Sequence, residues 1–266
     1  MGKLLRKLAA LWRKVSPVRY AYPAQDVMLG HSQLHLVGSI HMGTQTMKPL
    51  PVALQAKLAH ADALIVEADI TTGASPFNES EPCLPLAQRL TAEELSQLLR
   101  LCRDVGIDSD LIDLLPAWQI ALMLQAQQAQ RLGLRTDYGI DFQLLHAARA
   151  QQKRIIELEG PETQLALLKA LPENGLSLLQ DTLKHWHTNA RLLQTMIGWW
   201  LETPPGNGQT VLPGTFNNAL NDVLMLQRNQ RWSQALSELP AGNYVVAVGA
   251  LHLYGEGNLP ALLKKS

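Results

Sequence analysis

Apolar positions recur along the chain with two different periods, and each change of period marks a new element. Short apolar runs bounded by turn residues read as strands, and apolar residues spaced by three and four read as helices. Asp26–Leu29 and Leu34–Ser39 form a predicted hairpin around Gly30-His31-Ser32. Pro51–Ala61 follows as a helix, Ala63–Ile70 as a strand and Thr71–Pro85 as a loop. Thr91, with Glu94 three residues on, opens a helix through a capping box, and Gly106 ends it. Trp118–Leu132 reads as a helix with a Gln-rich exposed side, Asp141–Gln151 as a helix, Arg154–Glu159 as a strand and Glu162–Leu171 as a helix. Long helical patterns then reach the Pro- and Gly-rich loop Thr203–Gly214. Thr215–Leu239 is helical, Tyr244–Ala250 is a strand, and a short helix near Leu259–Lys264 closes the chain. Strands alternating with helices predict an α/β fold with a mixed sheet flanked by helices, a single domain with a helical insertion.

The first twenty residues stand apart. Leu4, Leu8, Leu11, Trp12 and Val15 share one face of a predicted helix, while Lys3, Arg6, Lys7, Arg13 and Lys14 lie mostly opposite, and Pro17 ends it. Such a basic amphipathic helix docks on its domain or makes a weak membrane contact, and the former is the expectation because one short helix binds lipid weakly. The apolar stretch Leu8–Trp12 is cut off by Arg13 and Lys14, short of the roughly 7–15 residues of a signal-peptide core, so the expected location is cytoplasmic. The resulting division is a helix over residues 1–20 and an α/β domain over residues 21–266.

Charge narrows the partners. Lys and Arg total 23, Asp and Glu also total 23, and the net charge of zero gives no electrostatic case for nucleic acid. Only 17% of residues are charged, below the roughly 25% of an average domain, so the exposed surface must draw on Gln, Asn, Ser and Thr. Two cysteines, Cys83 and Cys102, make no disulfide framework and no metal knuckle, and are expected as reduced thiols.

One short pattern occurs twice. Leu36-Val37-Gly38-Ser39-Ile40-His41-Met42-Gly43 matches Ala247-Val248-Gly249-Ala250-Leu251-His252-Leu253, with Gly255 soon after. In each copy an apolar strand runs into Gly-x-x-His. A glycine there lets backbone come close, and the histidine falls at the carboxyl edge of the sheet, where α/β folds place ligands. A third strand, Leu64-Ile65-Val66-Glu67-Ala68-Asp69, carries carboxylates, which are costly in a core unless paired or bound to a metal. Alternation would put Glu67 and Asp69 on one face, and Ile155-Ile156-Glu157-Leu158-Glu159 repeats the pattern. Two imidazoles and a carboxylate suit a divalent transition metal; a structural ion pair between Glu67 and Arg228 is the alternative.

These residues resemble the TraB/PrgY/GumN family, related to the Tiki metalloproteases. The resemblance runs from about Tyr22 to Leu263 and is carried by HLVGSIHMG, ADALIVEAD, YGIDFQLLHAARAQQKRIIELEG, LMLQRNQRW and YVVAVGALHLYGEGNLPALL. It implies an α/β core built on a strand–helix pseudo-repeat and a metal or catalytic set of His41, Glu67 and His252, with Gly38 and Gly249 shaping the approach. Asp141 and Arg228-Asn229 match further family positions. Arg228 would suit a substrate carboxylate or a developing oxyanion. Asp141 would serve either catalysis or the cap of its helix.

The leading expectation is a metal-dependent hydrolase of peptide or amide bonds, with Mn, Co or Zn held by His41, Glu67 and His252 and a peptide or small molecule as substrate. The alternatives are a metal-free hydrolase with a histidine base and a non-catalytic regulator that binds a peptide or signal. Other motifs have plainer readings. Adjacent helix positions point about 100° apart, so His185 and His187, two positions apart, cannot easily share an ion. His31 and His35 are expected to be solvent or cross-strand residues of the hairpin, and Trp199-Trp200 to pack in the core. No phosphate loop, Gly-x-Ser-x-Gly elbow or His-Glu-x-x-His helix is present.

Overall fold

The first hairpin forms where the apolar pattern places it. In the computed structural model, which describes residues 20–71, 81–206, 213–214 and 216–265, β1 (Ala24–Leu29) and β2 (Ser32–Ser39) pair antiparallel. Gly30 turns the chain with φ +58°, a conformation glycine adopts without steric cost. The helix expected over residues 1–20 lies almost wholly outside the described residues, as do large parts of the loops expected at Thr71–Pro85 and Thr203–Gly214.

Three further strands complete the sheet: β3 (Ala63–Val66), β4 (Arg154–Glu157) and β5 (Asn243–Gly249). Their order is β1-β2-β5-β3-β4, with every pairing after the hairpin parallel. The fold is therefore α/β with a mixed sheet in a single domain. The C-terminal strand lies in the middle, so the carboxyl ends of β2, β5 and β3 stand side by side.

Alternation along the strands builds two cores. Val37, Leu64, Val66, Val245 and Ala247 face helices α1 (Val52–His60) and α4 (Ile140–Ala150). Leu34, Leu36, Ile65, Val246 and Val248 face α8 (Gln227–Ser237) and α9 (Leu259–Leu263). Both faces are covered, which is why the parallel strands read as nearly continuous apolar runs. Each large aliphatic side chain buried there contributes roughly 1.5–3 kcal/mol over leaving it exposed. The helix α7 (Trp186–Leu201) bridges the two cores, Trp200 entering one and Trp199 the other. The expected core role of this tryptophan pair holds.

The helical insertion has its own core. The helix α2 (Ala92–Val105) begins at Thr91, whose hydroxyl accepts from the Glu94 N–H while the Glu94 carboxylate takes the Thr91 N–H, and ends at left-handed Gly106. It packs Leu98 and Cys102 with Trp118, Ile120 and Leu124 of α3 (Ala117–Arg131) and Leu178, Leu179 and Leu183 of α6 (Pro172–Lys184). The glutamines of α3 depart from expectation. Gln119 and Gln128 are buried, and Gln125 and Gln128 donate to the Thr182 hydroxyl and the Trp186 carbonyl. Neighbouring helices cover part of the glutamine face, while Gln125 and Gln127 stay half-buried and Gln130 exposed.

His35 is a cross-strand residue, as expected of the hairpin: it is buried, bridging its register partner Asp26 at 2.7 Å and the Tyr22 hydroxyl at 2.9 Å. Burial pulls the Asp26 carboxyl upward, and the hydrogen bonds from His35 and Tyr20 outweigh it and bring it down to about 2. The helix expected over Thr215–Leu239 contains a π-helical turn, Asp222–Leu226, immediately before α8. Cys83 and Cys102 are free thiols, as expected. Among the described residues no helix is long and apolar enough to cross a membrane.

Candidate functional site

The two Gly-x-x-His copies end adjacent parallel strands, with Ser39 paired to Gly249. Their glycines do different work. A Cβ on Gly38 would lie 3.1 Å from the Ala250 Cα, so Gly38 makes room for the backbone of the second copy. A Cβ on Gly249 would lie 3.3 Å from Glu67 Oε1, so Gly249 lets its own N–H reach that carboxylate, at 2.6 Å.

Glu67 sits one residue beyond the end of β3, because the strand stops at Val66 rather than running to Ile70. It therefore shares no strand face with Asp69. Asp69 pairs with Arg149 and accepts from Thr71, while its N–H goes to Glu157. Glu67 turns the other way, toward Gly249 and Arg228. Arg228 Nη2 donates to Glu67 Oε2 at 2.6 Å, and Gln164 Nε2 on α5 (Pro161–Lys169) adds a bond of 3.3 Å to the same oxygen. Burial works to raise the Glu67 pKa, and His252, when protonated in acid, together with the charges of Arg228 and His41, outweighs it and holds the carboxyl below its ordinary value.

Arg228 is the hub. Its Nε and Nη2 donate to Glu159 at 2.9–3.2 Å, its Nη1 lies 3.5 Å from His252 Nε2, and its guanidinium stacks over the Trp232 ring at 4.6 Å. The side chain is 13% exposed. The π turn that precedes α8 supplies a carbonyl as well, Leu224 O accepting from Nη1 at 3.3 Å. Such turns recur at functional sites because they re-aim the side chains that follow.

His252 is buried, with its ring against Trp232 at a centroid separation of 4.5 Å. Its Nδ1–H donates to Asn229 Oδ1 at 2.7 Å, and Asn229 is itself held by the Gly257 carbonyl at 2.9 Å. This tautomer leaves the Nε2 lone pair for Arg228. Burial dominates its protonation and pushes the pKa down to about 4, so His252 is neutral near pH 7.

His41 is the opposite case. Its side chain is 64% exposed, and its Nδ1 is bonded to the buried Asp141 carboxylate. The Asp141 charge raises its pKa to about 9. Asp141 lies in the first turn of α4 but does not cap it, since Gly139 takes the cap position. A tight backbone clamp holds the pair together. Ile140 N–H donates to the Ile40 carbonyl at 2.9 Å, Gly43 and Arg135 exchange two bonds, and a Cβ on Gly139 would lie 2.3 Å from the His41 carbonyl oxygen. Only glycine fits at position 139.

All five expected site residues, His41, Glu67, Asp141, Arg228 and His252, therefore lie at one edge of the sheet, and the charges of Glu67 and Arg228 reach His41. They do not form a metal cage. Among the described residues no group of three or more His, Cys, Asp or Glu side chains is arranged to hold an ion. Glu67 Oε2 and His252 Nε2, two donor atoms such an ion would need, face the Arg228 guanidinium instead. The set His41, Glu67 and His252 thus does not fit Mn, Co or Zn as it stands. Sequence reasoning missed the roles of Glu159, Gln164, Gly139 and Trp232. The signal for Trp232 was its place four residues after Arg228, on the same helix face.

The model of the TraB/PrgY/gumN family matches residues 26–266. Two curated relatives, each described as "Uncharacterized protein YbaP", come from Escherichia coli (strain K12) and Shigella flexneri. Each is 54% identical over 262 residues, covering 98% of this chain and 99% of the relative. No solved structure matches the chain.

Proposed function

We propose that this chain, which belongs to the TraB/PrgY/gumN family, is a hydrolase of peptide or amide bonds that works by acid–base chemistry at His41. The observation that carries the reading is the His41–Asp141 pair, an exposed imidazole oriented by a buried carboxylate at the carboxyl edge of a parallel sheet. Asp141 keeps the proton on Nδ1 and steadies the imidazolium, which leaves Nε2 free of that bond on an exposed side chain. Near pH 7 most His41 is protonated, so the neutral fraction takes a proton from the attacking water and returns it to the leaving nitrogen, and turnover rises as pH climbs toward 9. Arg228, charged and locked by Glu67 and Glu159, is a fixed positive group beside the charge that develops on the carbonyl oxygen. Neutral His252 holds one edge of that guanidinium.

The test is a hydrolysis screen of peptide, amide and ester substrates with the purified protein, run with and without a chelator. Turnover that survives chelation and disappears in His41→Ala is the expected result. Turnover that depends on added divalent metal and is indifferent to His41→Ala overturns the reading. Peptide binding without turnover transfers the site to a regulator.

A further inference from the structure

The resemblance at the two histidine motifs leads to a metal, and the geometry seats an arginine. Glu67 turns Oε2 toward Arg228 Nη2 at 2.6 Å. His252 is fixed by Asn229 in the tautomer whose Nε2 lone pair faces Arg228 Nη1 at 3.5 Å. Anchoring one imidazole nitrogen to an oxygen acceptor so that the other is free is what metal sites use to present a ligand. Here the same arrangement presents its ligand to a guanidinium.

We infer that Arg228 is the resident cation of this centre, occupying the place between Glu67 and His252 and keeping a divalent metal out of the wild-type chain. The inference rests on the metal-free reading above. A guanidinium and a divalent ion repel at such close range, and both need the same two donor atoms. Arg228 is also hard to displace. Glu159 holds it through Nε and Nη2, Trp232 covers its face, and Arg231 lies 3.6 Å from Glu159 Oε1, steadying that carboxylate. Removing the guanidinium would leave Glu67, Glu159 and the His252 imidazole around one buried space, an oxygen and nitrogen donor set suited to Zn²⁺ or Mn²⁺.

The test is calorimetric titration of Zn²⁺ and of Mn²⁺ into wild type, His252→Ala, Arg228→Met and Arg228→Met with His252→Ala, each checked for fold by circular dichroism. Wild type is expected to show no binding that His252→Ala removes. Arg228→Met is expected to gain one site, at least about tenfold tighter than any in wild type, because a buried like charge has been taken away. Adding His252→Ala should abolish the gain. If Arg228→Met does not fold, Arg228→Met with Glu159→Gln removes a carboxylate left unpaired and should still gain a site through Glu67 and His252, weaker for the lost donor but absent from wild type; no gain there overturns the inference as well. One equivalent of metal in wild type, lost on His252→Ala, overturns the inference; so does a folded Arg228→Met variant that gains nothing. Wild type that loads metal while its turnover ignores a chelator sinks this inference and spares the proposed function. Wild type with neither metal nor turnover does the reverse.

Discussion

At the end of β2 the chain turns out through Ile40 and leaves His41 largely exposed; at the end of β5 the same spacing buries His252 at 4% exposure. The two motifs are near copies in sequence and neighbours in space, yet their imidazoles differ in protonation near pH 7. His41 meets a carboxylate and is held up near 9, whereas His252 meets an amide, an indole face and a guanidinium and is held down near 4. A motif can place a ring at a sheet edge, but the group that receives its Nδ1 decides what the ring does there. Two titratable groups pushed apart in this way are a recurring basis for dividing acid and base roles.

The largest effect should come from the exposed copy. His41→Ala is expected to lower kcat/KM about 10²–10⁴-fold on any substrate the wild type hydrolyses, the usual range for a general acid–base residue. His252→Ala should cost less activity. Equal losses in steady-state assays would break the asymmetry between the copies.

Stability should show a strong effect at the buried copy. His252→Ala removes a ring packed on Trp232 and strips Asn229 Oδ1 of its donor, a loss of about 2–4 kcal/mol in denaturant unfolding. A loss below about 0.5 kcal/mol, the range of ordinary surface substitutions, would mean that the second copy is not the packed one.

Exchanging the partners sharpens the comparison. Asp141→Asn should bring the His41 midpoint from about 9 down toward that of an ordinary imidazole, and Asn229→Asp should lift His252 from about 4, both read by NMR titration of the ring protons. The consequences for folding have opposite signs. The raised His41 pKa adds stability that is complete below the unfolded value near 6.5 and fades as pH rises through 9. The lowered His252 pKa favours the fold above about 6.5 and costs stability as pH falls toward 4. Asn229→Asp that leaves His252 unmoved would assign its state to burial alone.

The smallest effects should separate the two glycines. Gly38→Ala pushes on the Ala250 backbone and is expected to cost about 1–3 kcal/mol, whereas Gly249→Ala meets the Glu67 and His252 side chains and should cost toward the lower end of that range. Thermal melts rank the two, and the opposite order would show that the Glu67 carboxylate is less able to shift than a strand end.

The sequence alone determined the elements and their chemistry. Period-two and period-3.6 patterning drew the strands and helices, the capping box at Thr91 fixed one helix start, and the repeated Gly-x-x-His with the strand carboxylate named His41, Glu67 and His252. Those signals are local, set by a residue's own backbone preference and its near neighbours. Tertiary structure decided the rest. It set β5 between β2 and β3, ended β3 before Glu67, put Asp141 beside His41 and Asn229 beside His252, and brought Glu159 and Trp232 around Arg228. A side chain's charge state and its partner depend on burial and on residues far away in the chain. No spacing encodes whether Glu67 faces a metal or an arginine, because that follows only from which helix packs over the strand end.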